Sequence, residues 1–261
     1  MPEIRVNGVS LYYEEHGAGE PIVCLHGSGS SAALWIDAAE ELATRGRTIV
    51  YDRRGFSRSE RPEPYVTNVH EQADDTAALI DALAAAPAIV IGRSYGGAVA
   101  IDLALRYPDH VRALALLEGD APALSEEATR WLADVEEQVL AAARVDMNTV
   151  AEAVIRAVAG DAGWEGFPEP AKEMFTANGP AIAAELRGGF PEVSAEQLRT
   201  IDQPTLLVAA RDSLQPGYAE VTSAMAAAMP SARIAWVGGG HLIDPAHPVV
   251  LGFVDEVLAR Q

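Results

Sequence analysis

Cysteine is almost absent. Cys24 is the only one in 261 residues, which excludes an internal disulfide and any cysteine-built metal cluster. It lies in an apolar run and reads as a small buried hydrophobe rather than a nucleophile. Basic residues are scarce too: 19 Lys and Arg against 38 Asp and Glu give a formal net charge of −19. A field of that sign repels nucleic acid and anionic lipid heads, so neither is expected as a partner. It also disfavours strongly anionic substrates unless a local arginine compensates. No apolar run approaches the length that spans a bilayer, and the opening Met-Pro-Glu-Ile-Arg-Val lacks the basic start and apolar core of a secretory leader. A cytoplasmic protein, monomer or homodimer, is expected. Aromatic residues make up only 6% of the chain, yet 49% is apolar, a balance that reads as globular.

Strand-like and helix-like segments alternate, the pattern of a sheet covered on both faces. Residues 4–6 and 11–15, joined at Asn7-Gly8, predict an opening hairpin. Strands follow over 21–25, 48–51, 88–91 and 111–117, with helices over 34–44, 69–85 and 95–107 between them. From about 125 to 198 only Ala-rich amphipathic helices are expected, broken by glycines and prolines. Sheet architecture resumes with strands over 205–209 and 233–237 and helices over 218–229 and 248–259. The expected organisation is one α/β core, 1–120 and 200–261, with 121–199 inserted as a helical lid.

Gly92-Arg93-Ser94-Tyr95-Gly96-Gly97 stands between a strand and a helix. A sharp strand–turn–helix junction lifts a serine hydroxyl clear of the sheet and needs minimal neighbours, supplied by Gly92 and Gly96. The turn puts the Tyr95 N–H at a helix N-terminus, facing developing negative charge. Ser94 is therefore the expected nucleophile. His26-Gly27-Ser28-Gly29 follows an earlier buried strand and can supply a second oxyanion donor, the Ser28 N–H. His26 itself reads as a loop-organising hydrogen bonder. The base is expected at His241, after three glycines on the loop that leaves the last strand, ahead of His16, His70, His110 and His247, of which His110 and His247 have ordinary surface placements.

The order of these motifs, with Asp52-Arg53-Arg54-Gly55-Phe56-Ser57 between the first two, resembles the α/β-hydrolase superfamily over essentially the whole chain. The resemblance implies a carboxylate that holds the histidine tautomer, and two positions compete. Asp212, 29 residues before His241, lies in the usual loop, but family spacing from the strand's opening proline falls on Ser213, so Asp212 serves only if that strand is one residue short. Glu118, ending the strand after the nucleophile helix, sits where the acid of zearalenone-type lactonases does, and Glu118 is favoured over Asp212, with Asp120 third. The 52–57 loop is implied to be an ion-pair and turn device.

Arg93 has two readings: orienting an anionic substrate or, as favoured, a salt bridge to Glu118 or Asp120. Trp131, Trp164, Phe167, Met174 and Phe175 are candidates for a substrate-facing wall of the lid. The expected activity is hydrolysis of a carboxylic ester or lactone of a small, largely apolar molecule through an acyl-enzyme, with no cofactor or metal. A carbon–carbon bond hydrolase acting on diketones with the same triad is the alternative. From another class, a small-molecule receptor with little turnover uses the same fold.

Overall fold

The computed structural model describes residues 2–260. It opens with β1 (Glu3–Val6) and β2 (Val9–His16), turned at Asn7-Gly8, where both residues have positive φ, as a two-residue hairpin turn requires. There follow β3 (Pro21–Leu25), α1 (Ile36–Leu42), β4 (Arg47–Tyr51), α2 (Val69–Ala82), β5 (Ala88–Arg93), α3 (Tyr95–Arg106) and β6 (Val111–Leu117). A purely helical stretch comes next: α4 (Glu126–Ala143), α5 (Val150–Glu165), α6 (Glu169–Ala177), α7 (Gly179–Gly188) and α8 (Ala195–Leu198). The sheet is then completed by β7 (Thr205–Ala210), α9 (Tyr218–Ala228), β8 (Ala232–Val237) and α10 (Pro248–Leu258).

Among the described residues, eight strands lie in the order β1-β2-β4-β3-β5-β6-β7-β8, antiparallel at the first two pairings and parallel from β4 onward. Helices cover both faces, so the central strands are apolar on both sides. Along β5, Ala88 and Val90 join the core shared with α2 and α3, while Ile89 and Ile91 join the core shared with α1 and α10. A third cluster, including Val139, Val150, Ile155, Phe175 and Ile182, sits within the helices between β6 and β7 and takes in Phe56 from the loop after β4. The parallel strands β3, β5, β6, β7 and β8 deliver their carboxyl ends to one edge, where crevices form in open sheets of this kind.

Several elements differ from the sequence-based expectation at their ends, and two of the differences bear on the site. The helix expected over 34–44 is a 3-10 turn, Ala32–Trp35, running into a shorter α1. The strand expected over 205–209 continues to Ala210, which is paired with Val237 and donates its N–H to Glu118 at 2.9 Å. That extra residue decides what the following loop can reach.

Candidate active site

Ser94 joins β5 to α3 with φ 54° and ψ −126°, a strained conformation for a residue with a Cβ, which costs about 1–3 kcal/mol. The surroundings hold it there. The Ser94 N–H donates to Leu117 O at 3.1 Å, and its carbonyl accepts from Gly97 N at 2.7 Å. A Cβ on Gly92 would strike the Gly96 carbonyl, and one on Gly96 would strike the Leu25 carbonyl. The glycines are thus required by close backbone approach.

Glu118 also has positive φ, 43°, and this bend turns its buried side chain toward the sheet edge. Its Oε1 accepts from Ala210 N at 2.9 Å, and its Oε2 accepts from Ser213 Oγ at 2.9 Å and faces His241 Nδ1 at 2.8 Å. Three donors offset the cost of burying a carboxylate. Because a carboxylate only accepts, the imidazole proton belongs on Nδ1, and Nε2 is the basic nitrogen. Asp212 is exposed and braces the glycine run instead, accepting from Gly239 N at 3.1 Å. With β7 running through Ala210, it is Ser213 that reaches Glu118, and Asp212 makes no hydrogen bond to His241, whose Nδ1 faces Glu118.

Ser94 and His241 line one cavity, but the Ser94 hydroxyl does not point at the imidazole. It donates to Asp120 Oδ2 at 3.3 Å, and Tyr218 donates its hydroxyl to the other oxygen of the same carboxylate. Catalytic hydrogen bonds are often unmade before substrate binds. Burial pushes the Asp120 carboxyl up to about 6 against the lowering pull of Tyr218, His241 and Ser94. The sign of the stability effect follows from that direction. The folded state holds the proton between the ordinary 3.8 and about 6 while the unfolded chain has lost it, so stability falls as pH rises through that window and the penalty is complete above it. It amounts to about 3 kcal/mol. The advantage of Asp120→Asn over the wild type in urea unfolding is therefore expected to grow by about that much from pH 4 to pH 8; a pH-independent difference would refute this.

The loop after β3 lies over Ser94, with a Gly27 Cβ placed 3.2 Å from Ser94 Cβ. Ser28 lines the cavity, and Tyr95 opens α3, so helix geometry leaves the Tyr95 N–H without an intrahelical acceptor. The Ser28 hydroxyl is committed elsewhere, donating to Glu185 of α7. Glu185 also accepts from Arg53 and, at 3.1 Å, from Gln72 Nε2. Arg53 and Glu185 are both buried, and Arg53 Nε donates to His26 O at 2.9 Å. His26 Nε2 accepts from Arg53 N at 3.0 Å, so its proton sits on Nδ1 against Gly27 O, and burial with the Arg53 charge lowers its pKa well below the usual range. The ion-pair role of the 52–57 loop extends to Arg54, which grips Asp75 at 2.7 Å. Glu185 could not be anticipated: it is the single acidic residue of α7, and nothing in its neighbourhood along the chain points to Arg53 or Ser28.

The cavity has a volume of about 220 Å³. Its floor is Ser94, His241 and the Gly27-Ser28 loop, and its far wall is Val154, Ile155, Val158, Phe167 and Phe175. Trp131 and Trp164 are not on it. Trp131 packs edge-on against Tyr218 at 6.0 Å, and Trp164 lies buried beside Phe175 at 6.4 Å. Gly160, with φ 72° and ψ 178°, interrupts α5, so the face presented by Val154 and Val158 does not continue to Trp164. Arg93 is also on the wall, but the salt bridge expected to Glu118 or Asp120 is not formed: those carboxylates are taken by His241, Ser213 and Tyr218, and Arg93 Nη1 donates to the Ile243 carbonyl at 3.2 Å.

A family model described as the alpha/beta hydrolase fold matches residues 20–244. The chain belongs to that family. Among curated relatives, this alpha/beta hydrolase is 32% identical to the provisionally named carbamate hydrolase RutD of Azorhizobium caulinodans, with 98% of this chain and 99% of that protein covered. It is 36% identical to the 2-hydroxymuconate semialdehyde hydrolase of Pseudomonas sp. strain CF600 over 118 residues, 44% of this chain and 42% of the relative. Among solved structures, a thermophilic esterase from Thermogutta terrifontis with malate bound superposes with a TM-score of 0.80 at 28% identity, over 100% of this chain and 99% of the other. The sheet order is that of this fold. Among the described residues, no helix is long and apolar enough to cross a membrane.

Proposed function

We propose that this hydrolase cleaves a carboxylic ester or lactone of a small, largely apolar molecule through an acyl-enzyme, with Ser94 as nucleophile, His241 as base and Glu118 as the orienting acid. The observation that carries this reading is the buried 2.8 Å contact of Glu118 with His241 Nδ1, which leaves Nε2 as a base on the same cavity as Ser94. Substrate displaces the Ser94 hydroxyl from Asp120, and His241 Nε2 takes its proton as Oγ attacks the carbonyl. The oxyanion is held by the Ser28 and Tyr95 N–H groups. Protonated His241 then gives its proton to the leaving alcohol, and water repeats the sequence to free the acid. The helices between β6 and β7 act as the lid, supplying the apolar wall that keeps bulk water from the carbonyl.

A carbon–carbon bond hydrolase is the second reading, favoured by the local similarity to the 2-hydroxymuconate semialdehyde hydrolase. The deciding experiment is a turnover panel of p-nitrophenyl esters, lactones, carbamates and ring-fission diketones. Turnover of esters or lactones above the rest is expected; turnover of diketones alone or of carbamates alone would sink the ester reading.

A further inference from the structure

The chain carries 38 Asp and Glu, yet among the described residues none of them lines the cavity beside Ser94, and Arg93 is the one permanently charged residue that does. Arg93 is held in place without being neutralised. Nη1 donates to the Ile243 carbonyl at 3.2 Å, and the guanidinium carbon stands 5.4 Å from the centre of the Trp35 ring. Among the described residues Nε and Nη2 have no acceptor, and neither is sealed from solvent. Burial lowers the Arg93 pKa to about 10, which leaves it protonated at neutral pH. Asp244 acts on it only from an exposed position and makes no contact ion pair.

A half-buried cation with no contact counter-ion is costly, and a planar guanidinium with open N–H groups matches a carboxylate better than any other common group. Across the cavity, Val154, Phe167 and Phe175 offer only apolar surface. We propose that Arg93 is a carboxylate-binding residue, and that the substrates are esters or lactones carrying one carboxylate beside an otherwise apolar body. This rests on the ester and lactone reading above and narrows it. The overall negative charge then becomes a filter: anions are repelled by the surface in general and accepted at one place.

The test compares monomethyl glutarate with methyl pentanoate, which has a methyl group where the first has a carboxylate. Hydrolysis is followed by pH-stat for the wild type, Arg93→Gln and Arg93→Lys. The wild type is expected to prefer the anionic ester at least about tenfold in kcat/KM, and Arg93→Gln to cut that ratio by about 10- to 100-fold, chiefly through KM. Arg93→Lys, which keeps the charge but loses the fork, is expected to fall between. A ratio that Arg93→Gln leaves unchanged, or a wild type that prefers the neutral ester, overturns the proposal. Calorimetric binding of monomethyl glutarate to Ser94→Ala, with and without Arg93→Gln, separates the two layers. Arg93-dependent binding without wild-type turnover of any ester would remove the esterase reading and leave the carboxylate site standing. Turnover of esters with binding indifferent to Arg93 would do the reverse.

Discussion

Alanine at Ser94 is expected to lower kcat by about 10⁴- to 10⁶-fold on whichever substrate the panel identifies, with the fold and the cavity retained. The size of the loss follows from the arrangement. Without Oγ there is no covalent intermediate, and His241 has no hydroxyl to deprotonate. On the proposed reading, what remains is the cavity and the two N–H groups of Ser28 and Tyr95 as oxyanion donors, and such residual stabilisation exceeds the uncatalysed rate by about 10³- to 10⁴-fold. Removing the Ser94–Asp120 hydrogen bond leaves the Asp120–Tyr218 contact in place, so the variant is expected to unfold within about 1 kcal/mol of the wild type. A Ser94→Ala protein retaining a tenth or more of wild-type kcat would remove Ser94 from the chemistry.

Glutamine at Glu118 is expected to lower kcat by about 10³- to 10⁴-fold, while Asp212→Asn stays within about threefold. The asymmetry is set by which oxygen faces which donor. Glu118 Oε1 accepts from the Ala210 N–H, whereas Oε2 meets His241 Nδ1 and Ser213. A glutamine keeps its oxygen on Ala210 and turns its NH₂ toward His241. That amide donates to Nδ1, drives the ring proton to Nε2 and leaves no base facing Ser94. Asp212 accepts from the Gly239 N–H, which an asparagine oxygen does equally well. Steady-state rates for both variants, with thermal melts to exclude misfolding, settle the matter. Equal or reversed losses would transfer the acid role to Asp212.

How much of this was readable beforehand depends on whether a feature is local in the chain. The Ser94 turn is: six consecutive residues supply the small neighbours, and the flanking strand and helix are apparent from apolar periodicity. His241 is marked by its own glycine run. The Glu118 contact was accessible because the spacing from the strand's proline falls on Ser213, and the structure gives the physical reason: β7 is one residue longer than Asp212 would need. Contacts between distant segments were not readable. Nothing in the sequence pairs Glu185 with Arg53 across 132 positions, or Tyr218 with Asp120 across 98. Arg93 was misjudged for the same reason, since its expected partners were claimed by Tyr218, Ser213 and His241. The tryptophans of the helical stretch illustrate a different limit. Periodicity identifies an apolar face but not what that face meets, and one non-helical glycine, Gly160, resets the phase partway along α5.

The buried junction of Arg53, Gln72, Ser28 and Glu185 also bears on modularity. Three of its members come from the sheet side of the molecule, and the fourth comes from α7. Excising the helical stretch, or grafting one from a relative that lacks an acid at this place, would strand a guanidinium in a dry interior and release the hydroxyl that steadies the loop over Ser94. The inserted helices are therefore not an interchangeable accessory. Any chimera that trades them for new specificity must carry Glu185 along, or replace Arg53 and Gln72 together with it.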